Sequence, residues 1–91
     1  MTVVRRAIVS GRVQGVFYRA SAAAKARELG VTGHARNLPD GRVEVMACGD
    51  PVSVQALLDW LWVGSSASKV TAVEELEVEP GAGAPGRFST S

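Results

Sequence analysis

The chain has 91 residues, of which 46% are apolar and 21% charged. That length supports one modest core, so a single domain over residues 1–91 is expected, and the composition excludes a disordered chain. A net charge of +1 excludes a strongly charged surface that would recruit nucleic acid or anionic lipid, although Arg5, Arg6, Arg12 and Arg19 all fall in the first 20 residues. The single cysteine, Cys48, excludes an intrachain disulfide and a multi-cysteine metal site. The opening "MTVVRRAIVS" has no apolar stretch followed by a cleavage site, and no apolar run approaches the roughly 20 residues of a membrane span. A small cytoplasmic protein without a membrane segment is expected.

Residues 3–13, "VVRRAIVSGRV", are rich in β-branched residues and read as a strand. Residues 18–29, "YRASAAAKAREL", are strong helix formers, with Gly30 placed to end the helix. "VTGHARN" (31–37) is a second, weaker strand, and "LPDG" (38–41) is a turn signal. "RVEVMACG" (42–49) alternates, with Val43, Val45 and Ala47 on one face and Glu44, Met46 and Cys48 on the other. It reads as a half-buried strand in a hairpin with the preceding one. Asp50 and Pro51 open a second helix, in which Val54, Leu57, Leu58, Leu61 and Trp62 follow an apolar helical spacing.

The last long strand is "KVTAVEELEVEP" (69–80), with Leu76 and Val78 facing in and Glu75, Glu77 and Glu79 facing out. Val70 and Val73 are out of step with each other, which predicts a bulge or irregular entry. "GAGAPG" (81–86) is a loop, and "RFSTS" (87–91) offers a short edge strand. The order is β-α-β-β-α-β, an α+β, ferredoxin-like sandwich with an antiparallel sheet and two helices on one face.

The junction between first strand and first helix carries chemistry. A helix N-terminus presents backbone N–H groups without intrahelical partners, and the macrodipole adds roughly half a positive charge. Gly15 lets the backbone curl, and consecutive amides ahead of a helix form an anion cradle. Arg19 shares a helical side with Ala22, Ala23, Ala26 and Leu29, the side expected to be buried. A charged group there needs a partner, and long helical side chains lean toward the N-terminus, back at the cradle. From these residues alone two alternatives stand: an anion site, or a tight turn whose arginine pairs with a surface carboxylate.

"GRVQGVFYR" (11–19) followed by "GHARNLPDGRVEV" (33–45) resembles the acylphosphatase family. Gly11, Val13, Gln14, Gly15, Val16 and Arg19 match its Gly-x-Val-Gln-Gly-Val-x-x-Arg motif; Gly33 and Asn37 match its Gly-aromatic-Val-x-Asn motif. "ASKVTAVEELEV" (67–78) is similar to the family's approach to its last long strand. The resemblance implies hydrolysis of the carboxyl–phosphate bond of small acyl phosphates, with neither metal nor cofactor and no covalent phosphoenzyme. It implies that Arg19 and the backbone amides of Gln14, Gly15, Val16, Phe17 and Tyr18 hold the phosphoryl group, and that Asn37 positions the attacking water. Inorganic phosphate is the implied product and a competitive inhibitor, and a monomer is expected. The sequence departs from the family pattern at His34, at Ala35 and at Gly64-Ser65, where a Gly-Pro pair is expected.

The remaining conspicuous residues read as structural. His34 is an ordinary polar strand residue, Cys48 a small half-buried one, and Trp60 and Trp62 pack beside the second helix's apolar stripe. The glutamates of the last strand form a solvated edge. Two other functions fit the element order: a noncatalytic phosphate or carboxylate binder, and an RNA-binding domain. The second needs stacking aromatics on the middle strands, and "RVEVMACG" has none.

Overall fold

The computed structural model describes residues 1–78 and 88–90. The elements are β1 (Val3–Arg12), α1 (Tyr18–Leu29), β2 (Thr32–Asn37), β3 (Val43–Gly49), α2 (Pro51–Val63), β4 (Lys69–Glu77) and β5 (Phe88–Ser89). The strands form one sheet in the order β4-β1-β3-β2-β5. β1 lies between β3 and β4, and β2 pairs with β3, all antiparallel. β5 runs parallel to β2, with Gly33 opposite Phe88, so the five-stranded sheet is mixed rather than wholly antiparallel. The loop expected at residues 81–86, and Glu79, lie outside the described residues.

Both helices cover one face. Ala22, Ala23 and Ala26 of α1 and Leu57, Leu58 and Leu61 of α2 close on Ala7, Val9, Val43 and Val45 of the sheet. Asp50 caps α2 by accepting from Val52 N at 3.1 Å, with Pro51 at the first helical position. Trp62 does not join this core and is 53% exposed. Eight residues beyond Val54 the helix has turned roughly 80° off the buried stripe. Trp60 does pack, its ring 5.8 Å from that of Tyr18.

β4 corrects one expectation and meets another. Ser10 pairs with Ala72 but Gly11 with Val70, so Thr71 is an extra residue in β4 and a bulge sits there. The bulge brings Val70 and Val73 into step, and both pack against the core. Its register puts Glu75 opposite Ala7 and Leu76 opposite Arg6. Leu76 therefore lies on the face away from the helices and is 38% exposed, rather than facing in.

That far face explains why β3 is buried on both sides rather than half-buried. Glu44 is only 4% exposed. It accepts a 2.7 Å hydrogen bond from Arg6 Nε, and its other oxygen lies 2.7 Å from Arg36 Nε and 3.0 Å from His34 Nε2. His34 is thus committed to Glu44. Burial pushes the Glu44 carboxyl up, but hydrogen bonds from His34 and Arg6 and the charges of Arg36 and Arg6 outweigh it and hold it below its ordinary value. A carboxyl depressed in the fold stabilises fully above its unfolded-state value, and that contribution is lost as pH falls through the folded-state value. Glu44→Gln is expected to cost about 1–2 kcal/mol at pH 7, or roughly 5–15 °C in Tm. The difference from wild type should shrink as pH falls below the ordinary carboxylate range, as thermal unfolding at pH 7 and at acid pH will register.

Candidate active site

The β1–α1 junction turns through two left-handed residues. Gly15 has φ 72°, and Phe17, which caps α1, has φ 61° and ψ 20°. Among the described residues, no atom beyond its two chain neighbours lies within 4 Å of where a Cβ on Gly15 would stand, so conformation rather than packing asks for glycine there. The first amide of the junction to find a backbone acceptor is that of Ser21, 3.0 Å from Phe17 O. Among the described residues, the amides of Gln14, Gly15, Val16, Phe17 and Tyr18 have no acceptor. They stand at the positive end of the α1 dipole.

Among the described residues, three side chains hold this loop. The Gln14 amide donates to Leu38 O and to Arg42 O, both at 2.9 Å, tying the loop to the turn between β2 and β3. Ser65 Oγ donates to Val16 O at 2.7 Å from the α2–β4 connection. Tyr18, 1% exposed, donates its hydroxyl to Leu61 O at 2.7 Å and pins the start of α1 onto α2. Burial pushes that phenol above its ordinary value, so it remains a donor.

Arg19 is half-buried, and among the described residues it has no carboxylate partner. Its Nη1 donates to Thr90 O at 2.8 Å, just beyond β5. A guanidinium has five donors, so one bond to a carbonyl orients the fork and leaves most of it available. Gly15, Phe17, Tyr18, Arg19 and Thr90 line one cleft of about 300 Å³ with Val13 and Ala20. Gln14 and Val16 are outside its walls.

Asn37 is the last residue of β2, exposed, and paired with Val43 across the hairpin. It does not line the cleft. It is linked to the cradle through its neighbour Leu38, whose carbonyl Gln14 holds. Two contributors escaped the sequence reading. Ser65 had a visible signal, since it stands where the resemblance expects proline. Thr90 had none, because a backbone carbonyl 71 residues from Arg19 carries no residue-type signature. Among the described residues no helix is long and apolar enough to cross a membrane, and no three His, Cys, Asp or Glu side chains gather to hold a metal ion.

Such a site can bind a small dianion by positive charge and directed N–H groups. An acylphosphatase of Methylococcus capsulatus is 59% identical over 71 residues, covering 78% of this chain and 77% of that protein. The crystal structure of acylphosphatase from Bacillus subtilis superposes with TM-score 0.92 at 36% identity, over 100% of this chain and 99% of the other. An acylphosphatase structure from Coxiella burnetii gives TM-score 0.87 at 38% identity, over 99% and 93% of the two chains. The acylphosphatase family profile matches residues 5–90. With the fold, the loop motif and these matches in agreement, the chain belongs to the acylphosphatase family, hydrolases that act on small acyl phosphates.

Proposed function

We propose that the chain hydrolyses the carboxyl–phosphate bond of small acyl phosphates with Arg19, the loop amides and Asn37, as one domain and without a metal or cofactor. The observation that carries this assignment is Arg19: a half-buried arginine whose fork is oriented by Thr90 O, without a described carboxylate partner, beside amides that have no described acceptor.

The phosphoryl group sits in the cradle, where the amides of residues 14–18 and the Arg19 fork meet its oxygens. Charge spread over those oxygens in the transition state is what such donors stabilise. Asn37 accepts from and donates to a water and aims it at phosphorus. Phosphorus–oxygen bond formation by that water accompanies cleavage of the bond to the acyl oxygen. The bonding pair leaves with the carboxylate, and the water's proton passes to phosphate or solvent. A carboxylate is a good leaving group, so no strong general acid is required. An amide cannot take the proton as a carboxylate would, so Asn37 contributes by orientation.

Turnover of benzoyl phosphate is expected to persist in excess EDTA, with inorganic phosphate as a competitive inhibitor. A protein that binds phosphate but does not hydrolyse benzoyl phosphate is the noncatalytic binder instead. Loss of activity on chelation, restored by a divalent ion, would contradict the metal-free mechanism. A cytoplasmic monomer accords with the near-neutral composition, and sedimentation tests the second part.

A further inference from the structure

The Phe17 side chain has no structural reason to be where it is. It is 81% exposed, so the core does not select it. It caps α1 but supplies no side-chain capping bond, where asparagine, aspartate or serine would. Its φ of 61° is left-handed, which costs a bulky residue on the order of 1–2 kcal/mol and is met more easily by glycine or asparagine. Lone exposed apolar residues are common. A strained one on the wall of a cleft that also holds an arginine is a different case.

The cleft has two ends of different character. Gly15 and Arg19 offer an amide and a guanidinium, while Val13, Phe17 and Ala20 offer apolar surface. Its volume of about 300 Å³ is at the small end for ligand sites, enough for one small acyl phosphate. A ligand that satisfies both ends is anionic at one end and flat and apolar at the other.

Resting on the hydrolase assignment above, we infer that Phe17 is the platform for the acyl group and gives the site a preference for acyl phosphates with an aromatic acyl part. The phosphoryl group is held by the amides and Arg19, and the acyl ring lies against the Phe17 ring in offset or edge-to-face contact. The left-handed backbone sets the direction of the Phe17 Cα–Cβ bond on the cleft wall, and the ring orders against the acyl group when substrate arrives.

The test compares kcat/KM for benzoyl and acetyl phosphate in wild type, Phe17→Ala, Phe17→Asn and Phe17→Trp, with inhibition by inorganic phosphate measured in each. Asparagine tolerates the left-handed backbone, so Phe17→Asn guards against a merely conformational effect. Phe17→Ala and Phe17→Asn are expected to lose roughly five- to tenfold on benzoyl phosphate. The readout is the benzoyl-to-acetyl ratio of kcat/KM, which should fall by that factor, because any shift of the Phe17 amide in the cradle acts on both substrates alike and cancels in the ratio. Phe17→Trp should keep the preference. An unchanged benzoyl-to-acetyl ratio in Phe17→Ala and Phe17→Asn overturns the platform and leaves the hydrolase intact. Equal losses on both substrates with weakened phosphate inhibition also overturn it, making Phe17 a determinant of loop shape. Wild type that hydrolyses neither acyl phosphate overturns the hydrolase assignment itself.

Discussion

Replacing Arg19 by alanine is expected to lower kcat/KM for benzoyl phosphate by about 10³-fold or more, the scale on which an arginine stabilises phosphoryl-transfer charge. The effect is large because this site concentrates its side-chain charge in one group. The other described donors of the cradle are backbone amides, which a side-chain change leaves in place. Arg19 is oriented by a carbonyl rather than a carboxylate, so its charge is not offset by a described neighbour. Arg19→Lys tests geometry apart from charge. An ammonium is a point charge without the planar fork, and it cannot hold Thr90 O and two phosphate oxygens together as a guanidinium does. The lysine variant should therefore bind phosphate better than the alanine variant and still turn over slowly. Loss of the Thr90 contact should cost only about 1 kcal/mol of stability, so circular dichroism will separate unfolding from lost chemistry.

Asn37→Ala is expected to lower kcat by about 10²-fold or more, since loss of an oriented nucleophile forfeits proximity rather than binding. Its phosphate inhibition should change little, because in the proposed division of the site Asn37 holds the water while Arg19 and the loop amides hold the phosphate. Asn37 is exposed at a strand end and makes no described side-chain hydrogen bond, so its loss should shift stability by less than about 0.5 kcal/mol. The split between KM-like and kcat-like effects is what separates a water-positioning amide from a phosphate ligand.

The order of elements was legible because each boundary carries its own local chemistry: the alanine-rich run of α1, the LPDG turn, and Asp50-Pro51 opening α2. The bulge was legible too, from Val70 and Val73 falling out of phase. What could not be read was set by partners distant in the chain. Leu76 alternates with glutamates as an inward residue would, yet the pairing of β4 with β1 turns it to the far face. Glu44 has the look of a solvated strand residue, and its burial is made tolerable by Arg6, 38 residues before it, together with Arg36 and His34 of β2. The parallel placement of β5 is another long-range fact, as Phe88 beside Gly33 follows from no local pattern.

The candidate site divides the same way. Gln14, Gly15 and Arg19 stand in one short motif whose turn and helix start are local, so they could be named together. Their mechanical support is not local. The Gln14 side chain fastens the cradle to the turn beside Asn37, and Ser65 holds the Val16 carbonyl from beyond α2. The sequence offers the glutamine and the serine but not their acceptors, which are backbone carbonyls. The departures at His34 and Ala35 have outcomes away from the cradle: His34 reaches Glu44, and Ala35 is fully buried in the core.

The most direct measurement is the inhibition constant of inorganic phosphate, taken with kcat for benzoyl phosphate in wild type, Arg19→Ala and Asn37→Ala. Competitive inhibition should be present in wild type, preserved within about threefold in Asn37→Ala while kcat is lost, and abolished in Arg19→Ala. Wild-type turnover in Asn37→Ala, or wild-type phosphate inhibition in Arg19→Ala, would contradict the division of the site into a phosphate cradle closed by Arg19 and a water positioned by Asn37.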